Sequence, residues 1–202
     1  MAKKLNIITG PTNTGKTDFM NFLLANFPEE FIRLITSTTR KLRQNEIAGD
    51  DYFKYEVPDF KQLIVNDELF EWEEVYESDL YGCERSEWKR VSESGKAPIV
   101  ALNTNGALKF MGEINTGFID MTGIEINAFF ITSPKEELIG RLMDANHNGL
   151  RNDSEKKIKE RIAKIDFELS QAKFFKPENV VENKNGHFDV MANQLLTKIL
   201  NS

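Results

Sequence analysis

Apolar positions along the chain come in two rhythms. Short, mainly apolar runs at Leu5-Asn6-Ile7-Ile8-Thr9, Phe31-Ile32-Arg33-Leu34-Ile35, Ala97-Pro98-Ile99-Val100-Ala101-Leu102 and Asn127-Ala128-Phe129-Phe130-Ile131 read as buried strands. Between them apolar residues recur at helical spacing: Phe19, Met20, Phe22, Leu23 and Leu24; then Ile158, Ile162, Ile165 and Leu169; then Val190, Met191, Leu195, Leu196 and Ile199. Ser133-Pro134-Lys135-Glu136 combines an S-x-x-E capping box with proline at the first helical position, predicting a helix to about Met143. Asp144 to Asn152 is polar, contains Asn148-Gly149 and reads as a mobile loop, with a new helix from Asp153 or Ser154. Val180-Val181 reads as a last short strand. Strands alternating with helices predict an α/β fold built on a parallel sheet.

The rhythm breaks between these elements. Thr36-Ser37-Thr38-Thr39-Arg40-Lys41-Leu42-Arg43-Gln44-Asn45-Glu46 reads as a polar loop beyond a strand's carboxyl end, either ligand-binding or a solvated surface loop. From Gly49 to Lys96 the pattern is an inserted mixed α/β region: a short strand at Asp51-Tyr52-Phe53, a helix from Pro58 to Val65, a strand at Leu69-Phe70-Glu71-Trp72, a turn at Tyr81-Gly82-Cys83, and a helix from Ser86 to Ser94 closed by Gly95. The acidic cluster Glu68, Glu71, Glu73, Glu74, Glu77 and Asp79 reads as a largely solvated face.

Composition narrows the function classes. A chain of 202 residues with 40% hydrophobic content supports one domain with sub-regions. A net charge of −6 and a pI near 5.2 oppose a general nucleic-acid or membrane-surface binder. One cysteine, Cys83, excludes an internal disulfide, and His147 and His187 supply no zinc-type ligand set. Lys3 and Lys4 pass directly into a strand with no signal stretch, and no run approaches the ~18 apolar residues of a membrane span. A soluble cytoplasmic protein, monomeric or homodimeric, is the expectation.

The chemistry is carried by one stretch. Gly10, Pro11, Thr12, Asn13, Thr14, Gly15, Lys16 and Thr17 satisfy G-x-x-x-x-G-K-[ST] between a strand and a helix. Glycines let the backbone N–H groups turn inward, Lys16 supplies a point charge for the outer phosphates, and the Thr17 hydroxyl is a ligand for Mg²⁺. The helix N-terminus beneath the loop adds partial positive charge.

The order of motifs resembles the guanylate kinase family across nearly the whole chain. The phosphate loop, Thr36 through Arg43 to Glu46, Gly49 to Phe53, Phe70-Glu71-Trp72, Tyr81-Gly82, Arg141-Leu142 and Glu160-Arg161 fall in the family's order. The resemblance implies a P-loop nucleoside monophosphate kinase fold, a three-layer parallel sheet with helices on both faces. Its core would comprise 1–35, 97–143 and 154–202, with an acceptor-binding region at 36–96 and a lid at 144–153. It further implies that Arg40, Arg43, Tyr52 and Tyr81 hold the acceptor's phosphate, with Glu46 in the family's spacing. Glu71 resembles the guanine-reading carboxylate and Thr36 a hydroxyl near the base's O6. Taken outside the family, Glu71 would be an ordinary surface carboxylate. Lys16, Arg40, Arg141, Arg151 and Arg161 are implied as catalytic cations and Asn183 as a further ATP contact, with Mg²⁺·ATP as phosphoryl donor and GMP or dGMP as acceptor.

Several positions depart from the family's pattern. Cys83 stands where a serine or threonine helps read the base and is expected as a wall of the base pocket, and one residue is added between Glu71 and Tyr81. The strand that usually ends in two aspartates ends with Ala101 and Asn103, which removes negative charge near the phosphates and metal; Asn103 is expected to hydrogen-bond the acceptor's base or a metal-bound water. Arg151 aligns after an insertion around His147 to Leu150, and Gly112 to Glu125 is longer than usual. Two alternatives stay open at this level: a nucleoside monophosphate kinase of different base specificity, and a degenerate module that senses nucleotides or binds proteins.

Overall fold

The structure is a computed structural model describing residues 3–75, 78–112 and 123–201. Glu77 of the acidic cluster and most of the Gly112 to Glu125 stretch lie outside these residues. In chain order the elements are β1 (Lys3–Thr9), α1 (Lys16–Asn26), β2 (Phe31–Arg33), β3 (Thr36–Thr38), β4 (Tyr52–Lys54), α2 (Val57–Val65), β5 (Leu69–Glu74), β6 (Leu80–Glu84), α3 (Arg85–Glu93), β7 (Ala97–Ala101), α4 (Thr104–Phe110), β8 (Ile124–Thr132), α5 (Lys135–His147), α6 (Glu155–Ser170), β9 (Val180–Glu182) and α7 (Phe188–Leu200).

Five strands pair in the order β2-β7-β1-β8-β9, all parallel. Two-residue alternation along β1 sends Leu5 and Ile7 to one face and Ile8 to the other. The first face packs with Val91 of α3, with Ala107, Leu108 and Phe110 of α4, and with Phe175. The second packs with Phe19, Met20 and Leu23 of α1 and with Met191, Leu195 and Ile199 of α7. Helices on both faces explain why these strands read as apolar runs. The buried Asn6 does not break the core, because it donates to the Pro98 carbonyl and accepts from the Asn127 amide.

A second sheet, ordered β4-β3-β6-β5, mixes parallel β3·β4 with antiparallel β3·β6 and β5·β6. It has its own small core of Phe60, Leu69 and Leu80 beneath α2. The chain crosses from one sheet to the other at Leu34 and Ile35. There the Ile35 N–H donates to the buried carboxylate of Glu87 at 2.8 Å, which also pairs with Arg90.

The structure corrects several sequence expectations. Thr36–Thr38 is a strand rather than the start of a loop, paired along its length with β4 and through Ser37 and Thr38 with β6. Tyr81-Gly82-Cys83 is not a turn but the middle of β6; the chain reverses between Val75 and Asp79, where the Val75 N–H donates to the Asp79 carbonyl. The register runs unbroken from Glu71↔Cys83 to Glu74↔Leu80, which pairs Glu73 with Tyr81. Ser133 makes no capping box. Its hydroxyl donates to the Asn183 carbonyl, and Pro134 is the cap residue of α5 instead of its first helical position. That helix runs to His147, so Asp144 to His147 is helical and not loop. Helix α4 was not expected at all: Asn103 caps it by accepting from the Gly106 N–H at 2.8 Å. Val190, placed on the apolar stripe of α7, faces solvent.

Candidate active site

At the carboxyl edge of the five-stranded sheet, β1 runs into the Gly10 to Gly15 loop and then α1. Two glycines are demanded by geometry. Gly10 adopts φ +137°, and a Cβ there would lie 2.1 Å from the Ile131 carbonyl oxygen of β8. Gly15 adopts φ +93°, and a Cβ there would meet the Asn183 amide at 2.7 Å. That amide donates to the Thr14 carbonyl at 2.9 Å, so Asn183, just past β9, braces the loop from outside. The buried Thr14 hydroxyl donates to the Pro11 carbonyl, stiffening the loop from within. Lys16 Nζ donates to the Gly10 and Pro11 carbonyls at 2.8 and 2.6 Å.

The loop forms one wall of a cavity of about 320 Å³, and the second sheet forms the facing wall. Of the phosphate-loop residues, Gly10, Thr12, Asn13, Thr14, Gly15, Lys16 and Thr17 line it, while Pro11 is buried behind. Arg43, Arg151 and Arg161 join Lys16 there. Arg161 on α6 and Arg151 in the α5–α6 connection both pair with Asp153, at 2.9 and 3.5 Å. Arg151 Nη2 also donates to the Asn13 side chain at 2.6 Å. Glu168 accepts from the Thr12 N–H at 3.3 Å. Burial pushes the Lys16 ammonium down to about 8 and neighbouring Arg151, Arg161 and Arg43 push the same way, only partly opposed by Glu168. Arg151 is pushed down to about 9, by burial first and then by Arg43 and Arg161. Four cations crowded around a loop of N–H groups make a site under electrostatic strain that a polyanion relieves.

Across the cavity, Thr36, Arg43, Glu46, Tyr52, Glu71, Tyr81 and Asn103 all reach the lining. Arg40 does not. Its guanidinium is buried, donates to the Tyr81 hydroxyl at 2.9 Å and to both Glu46 oxygens at 2.9 and 2.8 Å, and stacks over Tyr52. Burial alone would lower its pKa, but Tyr81 and Glu46 outweigh that and hold its charge firmly. Glu46 in turn accepts from the Arg43 N–H and pairs with its guanidinium at 3.3 Å. Arg40 therefore sits behind the acceptor wall, and Arg43, Tyr52 and Tyr81 form its surface.

Arg141 likewise lies off the main cavity. It donates to Asn185, Ser133, Glu137 and the Asn13 and Asn183 carbonyls. With Asn183, Asn185, Gly15 and Phe188 it lines a separate shallow hollow on the outer side of the phosphate loop.

At the far end of the cavity Glu71 is a buried carboxylate, with Lys109 of α4 at 3.7 Å from Oε2. Burial, helped by Glu73 and opposed by Lys109 and by a hydrogen bond from Cys83, pushes its pKa up to about 7. Cys83, expected as a wall of the base pocket, is in the core behind Glu71 and does not line the cavity. Burial and the adjacent Glu71 push the thiol well up, so it stays protonated, donates a hydrogen bond to Glu71 and is no nucleophile.

Sequence reasoning missed four participants. Glu73 lines the cavity two residues from Glu71, and strand alternation was the available signal. Lys109 sits on the unforeseen α4, and Asp153 and Glu168 gave no local signal. His147 and His187 are exposed at helix ends, away from the cavity.

A phosphate loop under the carboxyl edge of a parallel sheet, faced across one cavity by an inserted β region with arginine, tyrosines and a buried carboxylate, defines a P-loop nucleoside monophosphate kinase. Known proteins agree. The guanylate kinase family model matches residues 2–199, and the chain belongs to that family. It is 32% identical to the guanylate kinase of Chlamydia trachomatis serovar D over 174 residues, covering 85% of this chain and 77% of that protein. Similarity to the guanylate kinase of Mycoplasma genitalium extends over 198 residues at 31% identity, 98% of this chain and 75% of the relative. The crystal structure of guanylate kinase from Anaplasma phagocytophilum shares the fold, with a TM-score of 0.68 at 22% identity over 99% of this chain and 85% of that one. Among the described residues, no helix is long and apolar enough to cross a membrane.

Proposed function

We propose that the chain transfers the γ-phosphoryl group of ATP to the phosphate of GMP or dGMP, giving ADP and the corresponding diphosphate. The observation that carries this reading is where buried polar atoms of the cavity lining lack a hydrogen bond. At the loop end the Asn13 amide nitrogen and Arg151 Nη1 are buried donors without a hydrogen bond, and at the far end Glu71 Oε2 is a buried acceptor without one. A ligand with phosphates at one end and a base edge of N–H groups at the other satisfies both. Guanine offers that edge in its N1–H and exocyclic amino group; adenine does not.

The acceptor oxygen is already anionic, so no general base is needed, and catalysis rests on positioning and charge. Lys16 exchanges the Gly10 and Pro11 carbonyls for phosphate oxygens. Arg43, Tyr52 and Tyr81 hold the acceptor's phosphate, with Arg40 fixing Tyr81 and Glu46 from behind. Arg151 and Arg161 close on the transferring group, and the donor's nucleoside extends toward the hollow at Arg141 and Asn183.

Thr17 lines the cavity at the start of α1, and among the described residues no three histidine, cysteine or acidic side chains gather to hold a metal. That donor set fits a Mg²⁺ held by Thr17, water and the nucleotide's own phosphates, without an all-protein cage. Bound there, the ion would neutralise charge on the β- and γ-phosphate oxygens.

In this reading residues 36–96 carry the acceptor, 144–153 form a lid, and the rest is the core; an acidic soluble enzyme of small nucleotides needs no nucleic-acid partner. The test is a panel of ribo- and deoxyribonucleoside monophosphates with ATP·Mg²⁺. A clear optimum at GMP or dGMP is expected. An optimum at another base, or binding without turnover of any acceptor, would overturn the assignment.

A further inference from the structure

Guanine's amino edge presents three hydrogens: one on N1 and two on the exocyclic nitrogen. The two oxygens of Glu71 take the first and one of the pair, which leaves a third donor at the base end of the cavity. Resting on the guanine reading above, the geometry points to Glu73 as the acceptor of that third hydrogen, a specificity-determining residue held in place by Asn103.

Strand geometry supplies the position. Along β5, Glu71 and Glu73 turn to the cavity while Trp72 and Glu74 face outward. Two residues of strand set their Cα atoms roughly 7 Å apart on one face, so both carboxylates stand along the same side of the cavity. Glu73 lies opposite Tyr81 in a continuous register, so its place relative to the acceptor wall is fixed by backbone pairing.

Asn103 supplies the orientation. Its Oδ1 is committed to the Gly106 N–H as the cap of α4, which turns Nδ2 toward Glu73 as a donor, and the two are hydrogen bonded. Asn105 contributes a second hydrogen bond to the same carboxylate. A carboxylate offers about four lone-pair sites, so two amides hold it without exhausting its acceptor capacity. Burial raises the Glu73 pKa; Lys109 and Lys164 oppose that by favouring its ionised form, and Glu168 and the neighbouring Glu71 carboxylate add to it.

β7 ends at Ala101 without bringing a carboxylate to the cavity lining, and Asn103 just beyond it hydrogen-bonds Glu73 of the neighbouring sheet.

The discriminating ligand is inosine monophosphate, which differs from GMP only in lacking the exocyclic amino group. Wild type, Glu73→Gln and Glu73→Ala are assayed for kcat/KM with both acceptors, with melting curves to confirm folding. Gln keeps the side chain's shape, so a readable variant remains if Ala fails to fold. The expected result is a fall of about tenfold or more in the GMP-to-IMP preference in Glu73→Ala and a smaller fall in Glu73→Gln, whose amide oxygen is a weaker neutral acceptor, both carried by GMP, with the loss for IMP far smaller. Asn103→Ala should lower the same ratio by less, as a positioning residue does. Equal losses for the two acceptors, or no change in the ratio, would overturn the role of Glu73. A wild type that does not phosphorylate GMP would instead overturn the guanine reading itself and this inference with it.

Discussion

Glu71 carries its charge at a cost. Burial lifts its pKa to about 7, so at neutral pH it is partly protonated, and a protonated carboxyl cannot accept from two N–H groups at once. Guanine's donors favour the ionised form, so binding releases a proton, and affinity for GMP should rise as pH climbs through about 7 and level off above it. Glu71→Gln should bind GMP more weakly and lose that step, while keeping the change near pH 6 that belongs to the ligand's own phosphate. Calorimetric titrations of both proteins from pH 5.5 to 8.5 read this; an identical step in the variant would remove Glu71 from the base contact. At this scale the sequence was informative where a motif concentrated chemistry. Lys16, Thr17, Arg43, Tyr52, Glu71 and Tyr81 all reach the cavity. It was silent where a role depends on distant neighbours. Arg40 retires behind Tyr81 because Glu46 and a phenol satisfy it, and Glu168 finds the Thr12 N–H across 156 positions of sequence.

At the scale of elements, the parallel strands were legible because each is buried on both faces and must be apolar throughout. The second sheet was less so. Thr36–Thr38 is polar and three residues long, and Gly82 in mid-strand imitates a turn. That glycine is required by close packing, since a Cβ there would lie 2.9 Å from the Glu71 carbonyl and 3.2 Å from the Phe60 ring. Helix α4 was hidden because Thr-Asn-Gly opens it, and those residues spell a loop unless the Asn103 cap is seen. A contact outside the cavity lining also joins core and inserted sheet: Lys157 in the first turn of α6 donates to Asp79 in the β5–β6 reversal at 2.5 Å, both largely buried. It ties the acceptor region to the helix that carries Arg161. Lys157→Met should loosen the reversal, seen as faster hydrogen exchange at the Val75 amide, and raise KM for the acceptor more than for ATP. A double-mutant cycle with Asp79→Asn should give a coupling of about 1 kcal/mol or more. Zero coupling and unchanged exchange would make the pair incidental.

The whole molecule places opposite needs at the two ends of one cavity. Cations and buried donors without a hydrogen bond lie against the phosphate loop, and a buried carboxylate lies on the inserted sheet. Two sheets joined where Cys83 and Phe70 enter the main core hold these ends in place, and a nucleotide pair spans them. Such a cavity must also keep water from the transferring group, so the fate of the γ-phosphoryl is its most direct readout. The deciding measurement is to supply γ-labelled ATP·Mg²⁺ and GMP to wild type and to Lys16→Met, then follow the label. The account predicts that wild type moves the label into GDP with little free phosphate, and that Lys16→Met slows transfer by about 10²- to 10³-fold. Label released mainly as inorganic phosphate, or transferred as fast without Lys16, would contradict it.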